Sequence, residues 1–387
     1  MALTAIDLFS GGGGASLGLH RVDNINLRGA AEINKEVRDY YNENLPVQAA
    51  DIDLTDENAL TQFCEKYDLH KSDIDIVMGC PPCQKFSTLQ YTTPEVDGPK
   101  NTLLNAYIDL IIEISPKIVI FENVPGLLDS KNKLFVEEIK EYLRKAGYKL
   151  DMQLLNTADY GVPQDRDRVI AIGIRGKGIR NDDVSLPNPT HAPPEEADRS
   201  NKKPYRTVAD VIGDLPELEA GETADEVPFN GHRARNHRQD TVDFMKKIPK
   251  DGGSRTDLPH EEQLDCHKRL DDKTSAGNVY GRMEWDKPGS TLTGRCITPS
   301  SGRFVHPEQN RGISPREAAR IMTFPDDYDL PDKNSVAESL IGNAVPPDFV
   351  ATVVSEFLNQ HEYLINTQET QTVDTQEADT QPIQPAD

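Results

Sequence analysis

The chain has 387 residues and a formal net charge of −23, with 65 acidic side chains against 42 basic ones. That length can bury a sizeable core in two or three domains, and the lack of a secretory leader or a long apolar run predicts a cytoplasmic protein without a membrane partner. The acidity argues against a polyanionic partner unless a local basic surface or a high-salt cytoplasm offsets the repulsion.

A glycine-rich loop follows the first predicted strand. Residues 2–9 read as that strand, residues 10–14 as the loop, and a helical pattern continues through Leu19. This order is typical of the opening of a nucleotide-binding α/β unit, in which free amides face a ligand. The dinucleotide fingerprint G-x-G-x-x-G fails, because its third glycine would fall on Ser16 or Leu17. A cofactor without a pyrophosphate is therefore favoured over NAD.

Acidic residues follow the next two apolar stretches. Glu32 ends a strand predicted near residues 29–32, at the distance from the glycines where a carboxylate reaches ribose hydroxyls. It could equally be the first-turn acid of a helix that begins near Asn34. Asp51 and Ile52 follow a further short apolar stretch and are candidates for the same crevice.

A cysteine preceded by two prolines follows the strand predicted at 74–78. Pro81 and Pro82 stiffen the backbone before Cys83, which suits a nucleophile that must meet its target with little misplacement. The alternative is a small buried residue beside a tight turn. Cys80 and Cys83 form a C-x-x-C, but with no second pair at ligand spacing a zinc site is disfavoured. Five cysteines, few and odd in number, argue against a disulfide framework.

Strand and helix patterns continue to alternate as far as residue 174. The predicted helices are 103–114 and 135–146, and the predicted strands are 117–121, 148–155 and 168–174. Such alternation predicts an α/β fold with a mostly parallel sheet and helices on both faces.

Changes in composition and in hydrophobic periodicity divide the chain into four parts. Residues 1–174 form the α/β domain, and residues 175–313, rich in Gly, Pro and acids, form a smaller, loop-rich domain. Residues 314–361 return to helical patterns, beginning at a capped start with Pro in the first turn. Residues 362–387 form an acidic tail that we expect to be disordered.

A short basic run lies within the loop-rich part. Arg233, Arg235 and Arg238 occur within residues 231–238, which contain no acid. A solvated charge run is the alternative, but such a reversal of charge in an acidic chain favours contacts with phosphate.

Six short motifs occur in a fixed order along the chain. They are Asp7-Leu8-Phe9-Ser10-Gly11, Pro81-Pro82-Cys83-Gln84, Glu122-Asn123-Val124, Gln164-x-Arg166-x-Arg168, Arg316-Glu317-Ala318-Ala319-Arg320 and Gly342-Asn343-Ala344-Val345-Pro346. In this order they resemble the DNA cytosine-5 methyltransferases, from Ala2 to about Leu358, and six together make chance agreement implausible. Met322 departs from the pattern, since many members have Gln there.

The resemblance implies a fold and a reaction. The fold is a Rossmann-like S-adenosylmethionine-dependent methyltransferase sheet, with residues 175–313 as a target-recognition domain. The reaction moves a methyl group from S-adenosylmethionine to C5 of a cytosine flipped out of a specific duplex site. Cys83 adds to C6, while Glu122, with a raised pKa, donates or shares a proton at N3. Arg166 and Arg168 resemble the pair that holds the base carbonyl and a nearby phosphate.

Binding residues are carried over in the same way. Phe9 would pack on the adenine, Glu32 would hold the ribose, and Asp51 with Ile52 would flank the base. The whole cofactor set is Asp7, Phe9, Ser10, Gly11, Gly13, Glu32, Ile33, Asp51, Ile52, Pro82, Leu103, Asn343, Ala344 and Val345. The DNA-contacting set, with the basic run included, is Gln84, Lys85, Ser87, Gln164, Arg233, Arg235, Arg238, Thr291 and Arg295.

Two other functions compete with this one. RNA cytosine methylation on the same scaffold is disfavoured by the long stretch between Arg175 and Ser314, which suits the reading of duplex sequence. A catalytically dead DNA-binding relative is disfavoured because Cys83 and Glu122 are both present. We expect a compact prokaryotic monomer that binds double-stranded DNA, and a separately acting restriction endonuclease as partner is left open.

Overall fold

Strands and helices alternate through the first part of the chain, as the sequence predicts. The computed structural model describes residues 2–82, 102–224, 230–269 and 275–366. The strands are β1 (Leu3–Leu8), β2 (Ile25–Ala31), β3 (Ala49–Ala50), β4 (Ile76–Gly79), β5 (Ile118–Asn123), β6 (Tyr148–Asn156), β7 (Gln164–Asp165), β8 (Asp167–Arg175), β9 (His191–Ala192), β10 (Lys203–Pro204) and β11 (Gly289–Ser290). The helices are α1 (Gly14–His20), α2 (Lys35–Asn44), α3 (Ala59–Tyr67), α4 (Thr102–Ile114), α5 (Lys133–Lys145), α6 (Pro194–Ser200), α7 (Val208–Ile212), α8 (Gln239–Lys247), α9 (Pro315–Ile321), α10 (Asn334–Asn343) and α11 (Pro347–Gln360).

Seven strands form one sheet in the order β3-β2-β1-β4-β5-β8-β6. The first five in that order run parallel, which confirms the predicted mostly parallel sheet. The strand β8 is antiparallel to both of its neighbours, a reversal that the sequence pattern does not reveal. Because the chain leaves β1 in one direction and returns to β4 on its other side, a crevice opens at the carboxyl ends of these strands.

Both faces of the sheet are covered. In β4 and β5, alternate residues point to opposite faces, so Val77 and Val119 join one core cluster while Ile76 and Ile118 join another. Helices α3, α4 and α5 cover the first face. Helices α1 and α11 cover the second, so the end of the chain packs beside its beginning.

The loop-rich part is held by buried arginines as well as by apolar contacts. Arg282 is fully buried and donates hydrogen bonds of 2.7 to 3.2 Å to the main-chain oxygens of Met245, Ile248, His306 and Gln309. A guanidinium group carries five donors in a rigid fork, so one side chain can fasten several loops that lack regular structure. Helix α7 packs against α9, in a core that also includes Ala30 of β2 and Tyr41 of α2.

In the part of the chain that the structure describes, no helix is long and apolar enough to cross a membrane.

Candidate active site

Five side chains that matter to the predicted site lie in one row along the carboxyl edge of the sheet. The register pairs Ala50 with Ala31, Ala31 with Leu8, Leu8 with Gly79, and Gly79 with Phe121. The residues that follow these five are Asp51, Glu32, Phe9, Cys80 and Glu122. Parallel pairing therefore brings motifs that are far apart in sequence to a common level.

The glycine loop is shaped by two left-handed glycines. Gly11 has φ +54° and Gly13 has φ +84°, values that side chains rarely adopt. A Cβ on Gly11 would meet no atom within 4 Å, so this part of the loop borders open space. A Cβ on Gly14 would lie 2.3 Å from the Val345 oxygen, which shows how closely the segment after α10 approaches the loop.

Glu32 belongs to this loop and not to the first turn of α2. Its Oε2 accepts a hydrogen bond of 2.9 Å from the Gly11 amide, and its Oε1 accepts one of 2.7 Å from the Asn34 amide. Asn34 is the N-cap of α2, and Glu36 is the acid of its first turn. Glu32 is therefore not the first-turn acid of α2, and its carboxylate is fixed at the edge of the crevice.

Asp7 is a buried carboxyl with one unpaired oxygen. Its Oδ2 accepts a hydrogen bond of 2.6 Å from the Ser16 hydroxyl, which in turn accepts one of 2.9 Å from the Tyr41 hydroxyl. Its Oδ1 has no partner among the described residues. Burial raises the pKa of Asp7 to about 7, because the charged form loses its water. The carboxylate would be stabilised by a positive charge nearby.

Phe9 directly follows β1 at the carboxyl edge of the sheet. It has φ +60°, an unusual value for a bulky residue, and such strain is often found at functional sites. Its ring lies 6.4 Å from that of Tyr107 in an edge-to-face arrangement. Ile52 is buried in the core cluster against which Phe9 packs, whereas the Ile33 side chain is 58% exposed. The structure thus places an aromatic and an aliphatic side chain around this end of the crevice.

The remaining predicted cofactor residues surround the same edge. Ser10 is buried and donates a hydrogen bond of 3.3 Å to the Ala31 oxygen. Leu103 is half-buried in the first turn of α4, and Pro82 is exposed. Asn343 is exposed, and its side chain donates a hydrogen bond of 3.3 Å to the Ser339 hydroxyl.

Glu122 and Arg168 form a shielded ion pair on neighbouring strands. Arg168 Nε lies 2.8 Å from Glu122 Oε1, and the two side chains are 12% and 10% exposed. Burial raises the pKa of Glu122, although both Arg168 and Arg166 lower it. This carboxyl is therefore more readily protonated than an exposed glutamate, as proton donation requires.

Arg166 joins three separate segments. It is buried and donates to the main-chain oxygens of Leu292, Gly342 and Ala344, the last two at 3.0 and 3.2 Å. Burial lowers its pKa to about 9. Gly342 lies so close to this joint that a Cβ there would be 2.0 Å from the Thr293 oxygen. Arg166 therefore fastens the end of α10 and residues 289–295 beside the Glu122–Arg168 pair. Because residues 289–295 fall in the predicted target-recognition domain, we call them the recognition segment.

Gln164 does not fit the prediction that it contacts DNA. Its side chain is fully buried, with Nε2 2.9 Å from the Met322 sulfur and Oε1 accepting a hydrogen bond of 3.1 Å from the Leu292 amide. β7, which contains Gln164, pairs with β11 of the recognition segment. Gln164 thus holds that segment from inside, and Met322, the departure from the family pattern, is one of its two partners.

The basic run is largely tied to the protein. Arg233 is half-buried and donates to Asn334 Oδ1 at 2.9 Å and to the Pro331 oxygen. Arg235 donates to the Thr298 hydroxyl at 2.8 Å, and Arg238 forms an exposed ion pair with an aspartate two residues on. Hence Arg233 is spent on internal contacts, which disagrees with its prediction as a phosphate ligand.

Thr291 and Arg295 lie on the recognition segment beside α10. The Thr291 hydroxyl donates a hydrogen bond of 2.7 Å to the Asp165 oxygen. Arg295 is exposed, and in the described part of the chain its side chain makes no hydrogen bond. A Cβ on the adjacent Gly294 would lie 3.7 Å from Asn343 Oδ1, so Arg295 is near the edge of the crevice.

The predicted nucleophile lies just beyond a described segment. Cys83, Gln84, Lys85 and Ser87 fall outside the described residues. The segment that leads to them is anchored, because Asn123 Nδ2 donates a hydrogen bond of 3.1 Å to the Pro81 oxygen. Burial raises the pKa of Cys80 well above its usual range, so this thiol is held neutral.

Sequence reasoning missed three residues that shape the site. Ser16 and Tyr41 connect to Asp7, and Arg38 contacts the residues that follow β2 and β3. The serine and the tyrosine stand in ordinary helical patterns, so periodicity alone gives them no distinction. The arginine carries a charge on a helix surface, where most charges are solvated.

Comparison with known proteins gives a consistent assignment. The model of the C-5 cytosine-specific DNA methylase family matches residues 3–359. The Type II methyltransferase M1.HphI of Haemophilus parahaemolyticus is 34% identical over 363 residues, which cover 92% of this chain and 86% of that protein. The Type II methylase M.HgiDII of Herpetosiphon aurantiacus is 33% identical and covers 89% of this chain and 92% of its own length.

Solved structures share the fold. A DNA modification methyltransferase encoded within an E. coli prophage superposes with a TM-score of 0.64, at 22% identity, over 93% of this chain and 100% of that one. The S. pombe Dnmt2 methyltransferase superposes with a TM-score of 0.54 at 18% identity, over 92% and 98%. With a family match over almost the whole chain, the protein belongs to the C-5 cytosine-specific DNA methylases and is a DNA cytosine-5 methyltransferase.

Proposed function

We propose that this enzyme methylates one cytosine in a specific duplex DNA site, with S-adenosylmethionine as donor, Cys83 as nucleophile and Glu122 as acid. The observation that carries the proposal is the shielded Glu122–Arg168 pair, one strand away from the anchored segment that leads to Cys83. A carboxyl with a raised pKa beside a stiff cysteine loop suits addition to a pyrimidine ring.

The proposed steps conserve atoms and charge. The Cys83 thiolate forms a bond to C6, and the electrons of the C5–C6 double bond move into the ring, where Glu122 donates or shares a proton at N3. Bound S-adenosylmethionine supplies the methyl group as an electrophile for C5. S-adenosylhomocysteine is left after the transfer. A base then removes the C5 proton, the C6–sulfur bond breaks, the proton at N3 returns to Glu122, and the thiolate of Cys83 is restored. Because C5 and C6 are stacked inside a duplex, the cytosine must be flipped out first.

The arginines have different proposed tasks. Arg168 orients Glu122 through their shielded ion pair, at the place where the base would be bound. Arg166 holds three main-chain oxygens, so we assign it to positioning the recognition segment rather than to the base. Gln164 has the same positioning task.

The carboxyl edge of the sheet fits S-adenosylmethionine. Gly11 opens toward free space, and Glu32 is fixed at the place where ribose hydroxyls can be bound. Phe9 offers a ring to the adenine, with Asp51 and Ile52 beside it. The unpaired oxygen of Asp7 favours a ligand that carries positive charge, as a sulfonium with an amino group does.

Asp7 should make donor binding depend on pH. Its pKa is raised to about 7, so the carboxyl is protonated below that pH and becomes an attractive anion above it. The affinity for S-adenosylmethionine should therefore rise with pH through this range, by at most about tenfold per pH unit below the pKa. Calorimetric titration of the full-length protein at several pH values measures this.

Two controls belong to the Asp7 titration. Asp7→Asn should bind more weakly at high pH and show a flat profile, while S-adenosylhomocysteine, whose sulfur is uncharged, should depend less on pH with the wild-type protein. An unchanged profile in Asp7→Asn would show that another group titrates.

Arg295 should contribute to DNA binding where Arg233 does not. We expect Arg295→Gln to weaken binding to all duplex sequences and to reduce the slope of log affinity against log salt by about 0.9, the loss of one phosphate contact. Arg233→Gln, the matched control, should leave that slope unchanged and instead lower the melting temperature, because it removes internal hydrogen bonds. Fluorescence anisotropy at several salt concentrations measures both slopes, and a loss confined to Arg233→Gln would reverse the assignment.

The two relatives are Type II enzymes by name, and we infer that this chain likewise marks DNA in a restriction–modification system, as a monomer beside a separate endonuclease. Bisulfite sequencing of DNA from a host that expresses the chain should show methylation at one recurring sequence. Unmodified DNA together with methylated host RNA would overturn the proposed substrate.

A further inference from the structure

One arginine fastens two strand ends at the proposed cofactor edge. Arg38, on α2, donates from Nη1 to Asp51 Oδ1 at 2.8 Å, to the Glu32 main-chain oxygen at 2.8 Å and to the Ile33 main-chain oxygen at 3.0 Å. Its side chain is only 11% exposed, although it stands on a helix surface. The positive charge of Arg38 is thus paired with protein oxygens and largely shielded from solvent.

These partners lie at the ends of two adjacent strands. Residues 32–33 follow β2, and Asp51 follows β3, with Ala31 and Ala50 paired in register just before them. The Glu32 carboxylate is separately fixed by the amides of Gly11 and Asn34. Arg38 therefore fixes the other carboxylate at this edge, that of Asp51.

The Asp51 carboxylate would not keep one orientation without a partner. Its side chain is 67% exposed, so a free carboxylate would exchange between rotamers and be hydrated on both oxygens. The ion pair with Arg38 occupies Oδ1. In the described part of the chain Oδ2 accepts no hydrogen bond, which leaves a fixed acceptor beside the place proposed for the adenine.

We propose that Arg38 is a positioning residue that aims Asp51 at the 6-amino group of the cofactor purine and so gives the pocket its preference for adenine. The inference rests on the proposed placement of S-adenosylmethionine at this edge. A fixed carboxylate oxygen accepts a hydrogen bond from an amino group but repels the carbonyl oxygen of a 6-oxopurine. A carboxylate that can turn away loses most of that discrimination.

The test compares S-adenosylhomocysteine with S-inosylhomocysteine, in which a 6-oxo group replaces the 6-amino group and N1 carries a hydrogen. Their dissociation constants are measured by calorimetry with the full-length protein and its variants. We expect the wild type to prefer the 6-amino ligand by about tenfold or more, since a hydrogen bond to a charged group is replaced by repulsion. Arg38→Met should lose most of that ratio, and Arg38→Lys, which keeps the charge on a shorter side chain that reaches Asp51 less well, should keep part of it.

A matched control comes from the same helix. Lys35→Met also removes a cation from α2, but Lys35 pairs with Asp39 in solvent and does not contact the cofactor edge. It should leave the ratio unchanged. A merely structural Arg38 would lower the melting temperature and weaken both ligands equally, an outcome that overturns the inference.

Asp51→Asn separates this inference from the proposed function. The amide can donate to a 6-oxo group, so the ratio should collapse. If it collapses while Arg38→Met and Arg38→Lys keep the wild-type ratio, the role of Arg38 is overturned and the placement of adenine stands. If Asp51→Asn keeps the wild-type ratio, both are overturned. Should Arg38→Met fail to fold, Arg38→Lys alone decides, because the shorter side chain cannot make all three Nη1 contacts and an unchanged ratio there overturns the role of Arg38.

Discussion

Glu122→Gln should lower the rate of methyl transfer by about 10²-fold or more, the usual scale for general acid–base catalysis. Glutamine keeps the shape of the side chain and can still accept from Arg168, which lies 2.8 Å from Glu122 Oε1. It cannot give up a proton in the same way. The affinity for S-adenosylmethionine should change little, since two strands, β1 and β4, separate the strand of Glu122 from the one that Glu32 follows.

The pH dependence of the rate provides a second sign of this role. Burial raises the pKa of Glu122, and the protonated form is the one that can donate. In the wild type, the rate under single-turnover conditions should therefore fall as pH rises through that raised pKa. This fall of the rate with rising pH should be absent in Glu122→Gln, whose rate is already low.

Single-turnover transfer of a labelled methyl group to a cognate duplex measures both effects. Glu137→Gln, an exposed glutamate on α5, is the matched control and should behave as the wild type. A wild-type rate in Glu122→Gln would assign proton donation to another group.

Cys83→Ala should abolish methyl transfer while leaving binding to duplex DNA nearly intact. The thiolate is the group that makes C5 nucleophilic by adding to C6, and alanine has no group that can do so. Transfer of a labelled methyl group and a duplex-binding titration, performed on the same preparation, measure the two properties. Full activity in Cys83→Ala would end the proposed mechanism.

Cys80→Ala is the matched control for this variant. Cys80 directly follows β4, and burial raises its pKa well above the usual range, so its thiol is a poor nucleophile. Its loss should be mild. A complete loss of transfer in Cys80→Ala with activity retained in Cys83→Ala would exchange the two roles.

The carboxyl edge of the sheet was predictable from sequence because short motifs mark strand ends. Once β1, β2 and β5 are recognised as parallel neighbours or near neighbours, Phe9, Glu32 and Glu122 must lie at the same edge. The left-handed backbone at Gly11 and Gly13 agrees with the run of glycines in that loop, since glycine tolerates this conformation without strain. Local signals were sufficient here.

Side chains whose partners are distant in sequence were not predictable in this way. Gln164 has the appearance of a DNA ligand, yet its partners are Leu292 and Met322, brought together only by the folded recognition segment. Arg233 likewise turns to Asn334. A basic run in a sequence shows where the charges are but not where the side chains point. Periodicity likewise does not show whether a guanidinium group faces solvent or a carbonyl oxygen.

The central claim is a covalent bond between Cys83 and C6 of the target cytosine. The most direct measurement is incubation with a cognate duplex that carries 5-fluorocytosine at the target, in the presence of S-adenosylmethionine, followed by denaturing electrophoresis and peptide mapping. The fluorine cannot leave C5 as a proton does, so the adduct cannot resolve. We predict a denaturation-stable complex with the wild type, mapped to Cys83 and absent in Cys83→Ala. A wild-type enzyme that methylates normal DNA but forms no such complex, or one mapped to a different residue, would contradict the mechanism.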